Sequence, residues 1–264
     1  MKPMNIGELF GVAGKVALVT GGSRGIGKMI AHGYVANGAR VYIASRKAEA
    51  CDTAATELSS EGECIAVPCD LSTKTGRAAL VATLTESEGK LDILVNNAGA
   101  AWGAPLEEYP EEGYDKVMAI NVKALFMLTR DLIPLLETAA QPEDPSRVIN
   151  IGSIDGLRVP RVENWAYPPS KAAVHHMSRV FADRLGQKNI TVNAIAPGPF
   201  ESQMSAWMID TYRDQIESAC PLGRIGLPSD MAGIAIYLAS KAGAYVNGTV
   251  IPVDGGICIR AGSW

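Results

Sequence analysis

The 264-residue sequence lacks the long apolar runs that membrane spans and signal peptides require. It also lacks a basic patch with interleaved aromatic residues, since its formal net charge is −4 and charges of both signs are mixed along it. We find no linker, internal repeat or low-complexity tract. These absences predict a cytoplasmic protein that acts neither in a membrane nor on nucleic acid.

Residues that bind metals or form disulfides are scarce. The five cysteines are an odd number without C-x-x-C spacing, and the three histidines form no metal-binding pattern with acidic or cysteine neighbours. His175 and His176 are adjacent, so on a helix they point to different sides. We therefore expect reduced thiols and no metal site.

Short β-branched apolar segments alternate with longer helical segments along the chain. Because the apolar segments lack polar–apolar alternation, they are typical of strands buried on both faces of a parallel sheet. The predicted strands are 15–20, 40–45, 64–69, 91–96, 147–152, 190–196 and 249–253, and the predicted helices are 25–37, 47–60, 73–88, 113–139, 168–187 and 229–240. This alternation predicts a single α/β domain over residues 1–264, with 1–13 as an N-terminal extension. Its doubly wound sheet has seven mostly parallel strands flanked by helices on both faces.

The first predicted strand runs directly into a glycine-rich loop, TGGSRGIG, at residues 20–27. Glycines let the main chain turn tightly and approach a pyrophosphate, while the helix that follows offers its N-terminal N–H groups. An ordinary βα turn is the alternative, but a strand, a glycine loop and a helix in this order are what a dinucleotide site requires. The candidate cofactor-binding residues here are Gly21, Ser23, Arg24, Gly25, Ile26 and Gly27.

The second predicted strand ends at Ser45 and Arg46, where a site for NAD(H) places a carboxylate on the ribose 2′-hydroxyl. No acid follows until Glu49, and Arg24 adds a second guanidinium. Because cations suit a 2′-phosphate, these residues predict NADP(H) as the cofactor. Solvent-facing basic residues at a strand end are the alternative.

Six motifs occur in order between Lys15 and Gly256: the glycine loop, NNAG at 96–99, Asn121, Ser153, the Tyr167–Lys171 pair and Pro197–Gly198. This set resembles the short-chain dehydrogenase/reductase family, in its NADP-dependent 3-oxoacyl-[acyl-carrier-protein] reductase-like branch. The resemblance implies a Rossmann-type fold and hydride transfer between NADPH and a ketone. Each motif alone is equally compatible with an ordinary turn, cap or helix position.

The resemblance implies catalytic roles for four residues, Asn121, Ser153, Tyr167 and Lys171. A free phenol has a pKa of about 10, and we expect the Lys171 ammonium and an oxidised nicotinamide to lower that of Tyr167. Tyr167 then protonates the carbonyl oxygen during reduction, while Ser153 hydrogen-bonds the same oxygen. The family pattern further implies that Lys171 binds the nicotinamide ribose and that Asn121 retains a water linking Lys171 to solvent.

The same resemblance implies further cofactor contacts near the ends of later strands. Asp70 and Leu71 are expected to contact adenine, with a helix N-cap region as an equal alternative. The segment from about 199 to 226 is expected to be a lid over the substrate, with a surface helical hairpin as the alternative. The full set of these contacts is Asp70, Leu71, Asn97, Ala98, Gly99, Tyr167, Lys171, Pro197, Gly198 and Ser202.

The stretch YPPSK places Pro168 and Pro169 between the expected catalytic tyrosine and lysine. Proline inside a helix removes a donor and clashes with the preceding turn. The first turn, however, contains N–H groups that have no intrahelical partner. We therefore predict a helix that begins near residues 166–168 and holds Tyr167 in a stiff first turn; an unstructured loop is the alternative.

Apolar residues around the expected site favour a lipophilic substrate, with core or oligomer contacts as the alternative. These residues are Phe200, Met204, Trp207 and Met208 in the lid segment, and Trp102 and Tyr109 after NNAG. Three functions stay open. They are a reductase of 3-oxoacyl thioesters of acyl carrier protein or CoA, an NADP(H) carbonyl reductase or alcohol dehydrogenase for another lipophilic ketone, steroid or polyol, and a non-catalytic NADP-binding regulator.

Two kinds of macromolecular contact are also expected. The resemblance implies a homotetramer that forms through the segments 113–139 and 168–187. A basic face for docking acyl carrier protein is a further candidate, with ordinary solvated charges as the alternative. Its residues are Arg130, Arg158, Arg161 and Arg179.

Overall fold

The computed structural model describes residues 5–160 and 162–260, and Arg161 of the candidate docking face therefore lies outside the described residues. Within these ranges seven strands form one parallel sheet in the order β3-β2-β1-β4-β5-β6-β7. The strands are β1 (Val16–Thr20), β2 (Arg40–Ser45), β3 (Glu63–Pro68), β4 (Ile93–Asn96), β5 (Ser146–Ile151), β6 (Ile190–Pro197) and β7 (Val250–Val253). The predicted α/β fold with a seven-stranded doubly wound sheet is confirmed.

Helices cover both faces of the sheet. They are α1 (Ile6–Phe10), α2 (Gly25–Val35), α3 (Ala48–Leu58), α4 (Lys74–Ser87), α5 (Glu111–Met118), α6 (Leu125–Ala139), α7 (Tyr167–Leu185), α8 (Ala206–Ala219) and α9 (Pro228–Ala239). Buried residues of α2, α3 and α9 pack on one face of the strands, and those of α4, α6 and α7 pack on the other. The central strands are therefore buried on both faces, which explains why their sequences lack polar–apolar alternation.

The order of the strands predicts a crevice at the carboxyl ends of the strands, between β1 and β4. From β1 the chain proceeds outward to β2 and β3, and it then returns to form β4 on the other side of β1. Ligands of open α/β sheets bind at such a reversal, beyond the carboxyl ends of the strands. The glycine loop leaves β1 and the NNAG motif leaves β4 at this point.

The predicted helix 113–139 is divided in the structure. A π-helical turn, Ala119–Ala124, separates α5 from α6, and it contains the buried Asn121. Such turns interrupt the regular ladder and often occur at functional sites. In addition, α1 and α8 are helices that the sequence pattern did not delimit. No helix among the described residues is long and apolar enough to cross a membrane.

Candidate active site

The glycine loop and the NNAG motif hold each other in place. Gly21 and Gly25 have positive φ angles of 66° and 53°, which side chains disfavour. A Cβ atom on Gly27 would lie 2.4 Å from Nδ2 of Asn97. That amide donates to the carbonyl oxygens of Thr20 (2.9 Å) and Gly21 (3.2 Å). These glycines are therefore required by the turn itself, and they leave the main chain open to a phosphate at the start of α2.

The remaining loop residues divide between the surface and the core. Ser23 is half-buried and Arg24 is exposed. The side chain of Ile26 packs against the hydrophobic core, so only its main chain faces the crevice. Arg24 contacts the side chain of Gln203, which belongs to the predicted lid segment.

The carboxyl ends of β2 and β3 bring the expected ribose and adenine residues together. Ser45 pairs with Pro68 in the sheet, and the amide of Cys69 donates to the Ser45 carbonyl at 2.9 Å. The Asp70 carboxylate accepts from the hydroxyl (2.7 Å) and the amide (2.9 Å) of Ser72. These hydrogen bonds, with help from the Arg46 charge, hold the pKa of Asp70 below its usual value. Asp70 is thus tied into the loop before α4, as the N-cap alternative predicted, and it also lies beside the cations that suit a 2′-phosphate.

Leu71 is buried, with only 5% of its surface exposed. Its carbonyl oxygen accepts a 2.7 Å hydrogen bond from the buried guanidinium of Arg77 in α4. The expected adenine-contacting pair therefore has a fixed main chain. The cluster of Ser45, Arg46 and Asp70 contains one carboxylate, which lies in the loop after β3 and not at the end of β2, and this arrangement fits NADP(H).

The catalytic candidates meet where β5 and α7 approach each other. Ser153 follows β5, and its hydroxyl lies close enough to the phenol of Tyr167 to lower the pKa of that phenol. The Ser153 hydroxyl oxygen also accepts from the amide of Asp155 at 3.1 Å. One turn after Tyr167, the buried ammonium of Lys171 donates to the Ile151 carbonyl at 2.8 Å and lies 5.4 Å from the centre of the Tyr167 ring. Serine, tyrosine and lysine are therefore brought together as the motifs predicted.

The two prolines lie in the first turn of α7, which begins at Tyr167. Pro168 and Pro169 occupy its second and third positions, where an N–H group has no intrahelical partner in any case. The amide of Ser170 makes the first regular bond, to the Ala166 carbonyl at 3.1 Å. The prediction of a helix starting near residues 166–168 is confirmed.

Burial controls the protonation of the tyrosine and the lysine. The pKa of Tyr167 is raised to about 12, mainly by burial and further by the charge of Asp155, while the nearby Ser153 hydroxyl opposes the rise. Burial lowers the pKa of Lys171 to about 8. In the polypeptide alone the tyrosine pKa is therefore shifted upward, because desolvation is the largest effect. The lowering expected from the Lys171 ammonium together with an oxidised nicotinamide stays a prediction.

Asn121 lies next to this group. Its carbonyl oxygen accepts from the amide of Ala100 at 2.8 Å, and its Nδ2 donates to the Ala100 carbonyl (3.0 Å) and to the hydroxyl of Ser170 (2.9 Å). A Cβ atom on Gly99 would lie 3.2 Å from Oδ1 of Asn121 and 3.7 Å from Nζ of Lys171. Both N–H groups of the Asn121 amide and one lone pair of its oxygen are used within the protein. Its expected role in retaining a water stays a prediction.

The predicted lid segment lies over the glycine loop. Gly198 is fixed by its amide, which donates to the Val253 carbonyl at 2.9 Å. A Cβ atom on Gly25 would lie 3.0 Å from Cβ of Ser202, so this serine reaches the start of α2. Half of the segment is helical, in α8; Met204, just before this helix, and Trp207 within it are exposed. By contrast, Phe200 is buried in the core and Trp102 packs on α5.

Two titratable residues near the centre were missed by sequence reasoning. Asp155 follows Ser153 by two residues, and burial raises the pKa of its carboxyl. It lines a cavity of about 680 Å³ between the loop after β5 and the start of α7. His175 is buried one turn beyond Lys171. The sequence feature that could have identified them is their position along the chain, two residues after Ser153 for Asp155 and four residues after Lys171 for His175. Among the described residues, no group of three or more metal-ligating side chains could hold a metal ion.

Comparison with known proteins agrees with this geometry. Residues 21–258 match the family model described as enoyl-(acyl carrier protein) reductase. Over 249 residues the chain is 51% identical to the rhamnolipids biosynthesis 3-oxoacyl-[acyl-carrier-protein] reductase of Pseudomonas aeruginosa, covering 94% of this chain and 97% of that protein. The solved Pseudomonas aeruginosa RhlG/NADP active-site complex superposes with a TM-score of 0.92 and 49% identity, covering 97% of this chain and 100% of that one.

The stretch DILVNNAGAAWGAPLEEYP, residues 92–110, had already indicated a likeness to a β-ketoacyl reductase of rhamnolipid synthesis, and this is confirmed. A more distant relative is the gluconate 5-dehydrogenase of Gluconobacter oxydans. It is 33% identical over 259 residues, covering 96% of this chain and 98% of that protein.

Proposed function

The chain belongs to the short-chain dehydrogenase/reductase family, and we propose that it reduces a 3-oxoacyl thioester to a 3-hydroxyacyl thioester with NADPH. It is an NADP-dependent oxidoreductase with a Rossmann-type fold. One observation carries the reaction type: the Tyr167 phenol, beside Ser153 and one helical turn from the buried Lys171, lies beyond the strand ends at which the glycine loop begins.

The chemistry follows from the protonation states. NADPH supplies a hydride to the carbonyl carbon, and the carbonyl oxygen then needs a proton. Tyr167 is protonated at neutral pH because its pKa is raised, so it is ready to act as the acid. Ser153 would hold the oxygen beside the phenol, and Lys171 would position the nicotinamide ribose.

The cofactor contacts are part of the same proposal. The loop from Gly21 to Gly27 would hold the pyrophosphate, and Ser45, Arg46 and Arg24 would bind the 2′-phosphate. The pyrophosphate contact is supported by the tight packing of the loop glycines, which leaves no room for side chains there. The 2′-phosphate contact is supported by the absence of a carboxylate at the end of β2.

A lipophilic substrate is supported by the lid segment, residues 199–226. Trp207 is 68% exposed and Met204 is 55% exposed on its surface. Such residues suit an acyl chain better than a sugar acid. A second candidate, oxidation or reduction of a polyol, is favoured by the likeness to gluconate 5-dehydrogenase. The non-catalytic regulator is disfavoured because the serine, tyrosine and lysine are assembled.

We further propose a single domain over residues 1–264, a cytoplasmic location and a homotetramer. Exposed apolar side chains on α6 and α7, Phe126 (41%) and Val180 (46%), support contacts between subunits. The rings of Phe126 and Phe181 pack at 5.5 Å between these helices. Arg130, Arg158 and Arg179 stay candidates for docking acyl carrier protein. Light scattering tests the oligomer, and a monomer would contradict it.

The substrate proposal is tested by NADPH oxidation with acetoacetyl-CoA, longer 3-oxoacyl-CoA esters and 3-oxoacyl carrier protein, compared with steroids, aryl ketones and 5-ketogluconate. We expect the thioesters to give the largest kcat/KM. Tyr167→Phe should abolish turnover and keep NADPH binding, measured by nicotinamide fluorescence. Faster reduction of 5-ketogluconate would favour the polyol candidate, and full activity of Tyr167→Phe would reject the catalytic assignment.

A further inference from the structure

His175 connects the helix that carries Tyr167 and Lys171 to the loop that carries Ser153. It lies on α7 one turn after Lys171, with 3% of its surface exposed. The main-chain amide of Ser153 donates to Nε2 of His175 at 3.4 Å, a long hydrogen bond within a buried setting. This contact joins the two elements of the reacting centre, in addition to the hydrogen bond from Lys171 to the Ile151 carbonyl.

The loop after β5 is shaped around the imidazole. A Cβ atom on Gly152 would lie 2.1 Å from Nε2 of His175, and one on Gly156 would lie 2.8 Å from Cε1. A Cβ on Gly156 would also lie 2.8 Å from the main chain of α7 at Ala172. The ring therefore fills the space between the two glycines that flank Ser153, and the loop rests directly on the helix.

The contact fixes the state of the ring. Because Nε2 accepts a hydrogen bond, the proton of the neutral imidazole is on Nδ1. Burial and the charges of Lys171 and Arg179 lower the pKa of His175 to about 4, although a main-chain interaction with Gly156 opposes this. The imidazole is thus a neutral acceptor at neutral pH.

We propose that His175 is a positioning residue for the reaction, which sets the place of the Ser153 hydroxyl relative to the Tyr167 phenol. It touches neither substrate nor cofactor in this role, and the inference rests on the proposed function of Ser153 and Tyr167. Without the acceptor, the Ser153 amide is left buried and unpaired, and the loop shifts to satisfy it. A shift of about 1 Å at a reacting group reduces turnover by about 100-fold.

The test compares His175→Leu with His175→Gln, whose side-chain oxygen lies near the position of Nε2. We expect His175→Leu to lower kcat by about 10- to 100-fold, with NADPH binding within about twofold of wild type because the phosphate end is untouched. His175→Gln should restore most of kcat. The exposed neighbour provides a matched control, since His176→Leu should change neither value.

Turnover is measured on whichever ketone the wild type reduces best, and amide hydrogen exchange at Ser153 is measured in parallel. Exchange should be slow in wild type and His175→Gln and fast in His175→Leu, whatever the substrate is. If no ketone is reduced, the proposed function fails while the exchange data still report on the contact. If His175→Leu does not fold, His175→Asn, whose amide is too short to reach Ser153, replaces it. An unchanged kcat in His175→Leu or His175→Asn would overturn the proposal. A kcat of His175→Gln as low as that of His175→Leu would also overturn it.

Discussion

Asp155 provides a direct test of the electrostatics at the reacting centre. Its carboxylate is the second-largest cause, after burial, of the raised pKa of Tyr167. Asp155 has an elevated pKa of its own because it is buried, yet it is ionised at the alkaline pH at which a phenol titrates. Replacing it with asparagine keeps the shape and removes the charge, so the pKa of Tyr167 should fall.

The size of the fall is limited by the structure. The Tyr167 pKa is raised from 10.0 to about 12, and burial accounts for the larger share of that rise. The Asp155 charge therefore contributes less than burial does, and we expect Asp155→Asn to lower the tyrosine pKa by about 0.5 to 1, equivalent to about 1 kcal/mol. A larger effect would require the carboxylate and the phenolate to repel each other in fully desolvated surroundings.

The assay is the pH dependence of kcat/KM for oxidation of the hydroxy product, in which Tyr167 must first lose its proton. The midpoint of the rising limb should lie lower in Asp155→Asn than in wild type. Phenolate absorbance, corrected with a Tyr167→Phe background, measures the same shift without substrate. Glu163→Gln is the matched control, because this exposed carboxylate borders the same cavity but does not affect Tyr167. A midpoint that stays in place or rises in Asp155→Asn would refute the reasoning.

Three further changes test other parts of the structure. Arg24→Ala should raise KM for NADPH about tenfold or more and leave KM for NADH unchanged, because hydrogen bonds to charged groups contribute about 1.5–3 kcal/mol. Equal changes in the two KM values in steady-state kinetics would contradict the assignment of Arg24 to the 2′-phosphate. The buried guanidinium of Arg147 donates to the carbonyls of Leu238 and Ser240 at 3.1 and 2.9 Å, so Arg147→Met should lower the free energy of unfolding in urea by about 3 kcal/mol, and a loss below about 1 kcal/mol would contradict it. The Arg224 hydrogen bond lowers the Asp230 pKa, so the pair stabilises the fold above the ordinary carboxyl pKa and loses that effect as pH falls through the lowered value. Asp230→Asn should therefore lower the free energy of unfolding at neutral pH by up to about 1 kcal/mol, measured as a lower Tm. A decrease in Tm of the same size in acid would be inconsistent with this origin.

The fold was largely predictable because burial on both faces leaves a simple pattern. Residues 16–20 and 93–96 are continuous apolar strands in a parallel sheet, and their sequences are too short and too β-branched for helices. The π-helical turn at 119–124 was not predictable in the same way. It accompanies hydrogen bonds between Asn121 and Ala100, residues from separate elements whose approach is decided by tertiary packing.

The site was predictable as a set of residues but not as an electrostatic environment. Tyr167 and Lys171 were found from their place in an ordered set of motifs, yet the upward shift of the tyrosine pKa in the polypeptide alone was not foreseen, because desolvation depends on neighbours from the whole fold. Asp155 and His175 were missed for a related reason. An aspartate in a loop and a histidine on a helix are ordinary surface residues in a sequence, and only the packing of the β5 loop on α7 buries them.

These electrostatics favour the protonated state of Tyr167, from which the proton transfer of the reduction starts. As a proton donor, Tyr167 has to hold its proton until the carbonyl oxygen becomes basic, and a pKa raised to about 12 ensures that it does. As a base it would have to ionise, which the buried phenol and the nearby Asp155 both oppose. Lys171 assists little, since its ammonium donates to the Ile151 carbonyl and burial lowers its pKa to about 8. The oxidised nicotinamide is positively charged and the reduced ring is not. The polypeptide alone therefore holds the phenol in its protonated state, and the positive charge of the oxidised coenzyme would assist the ionisation that oxidation requires.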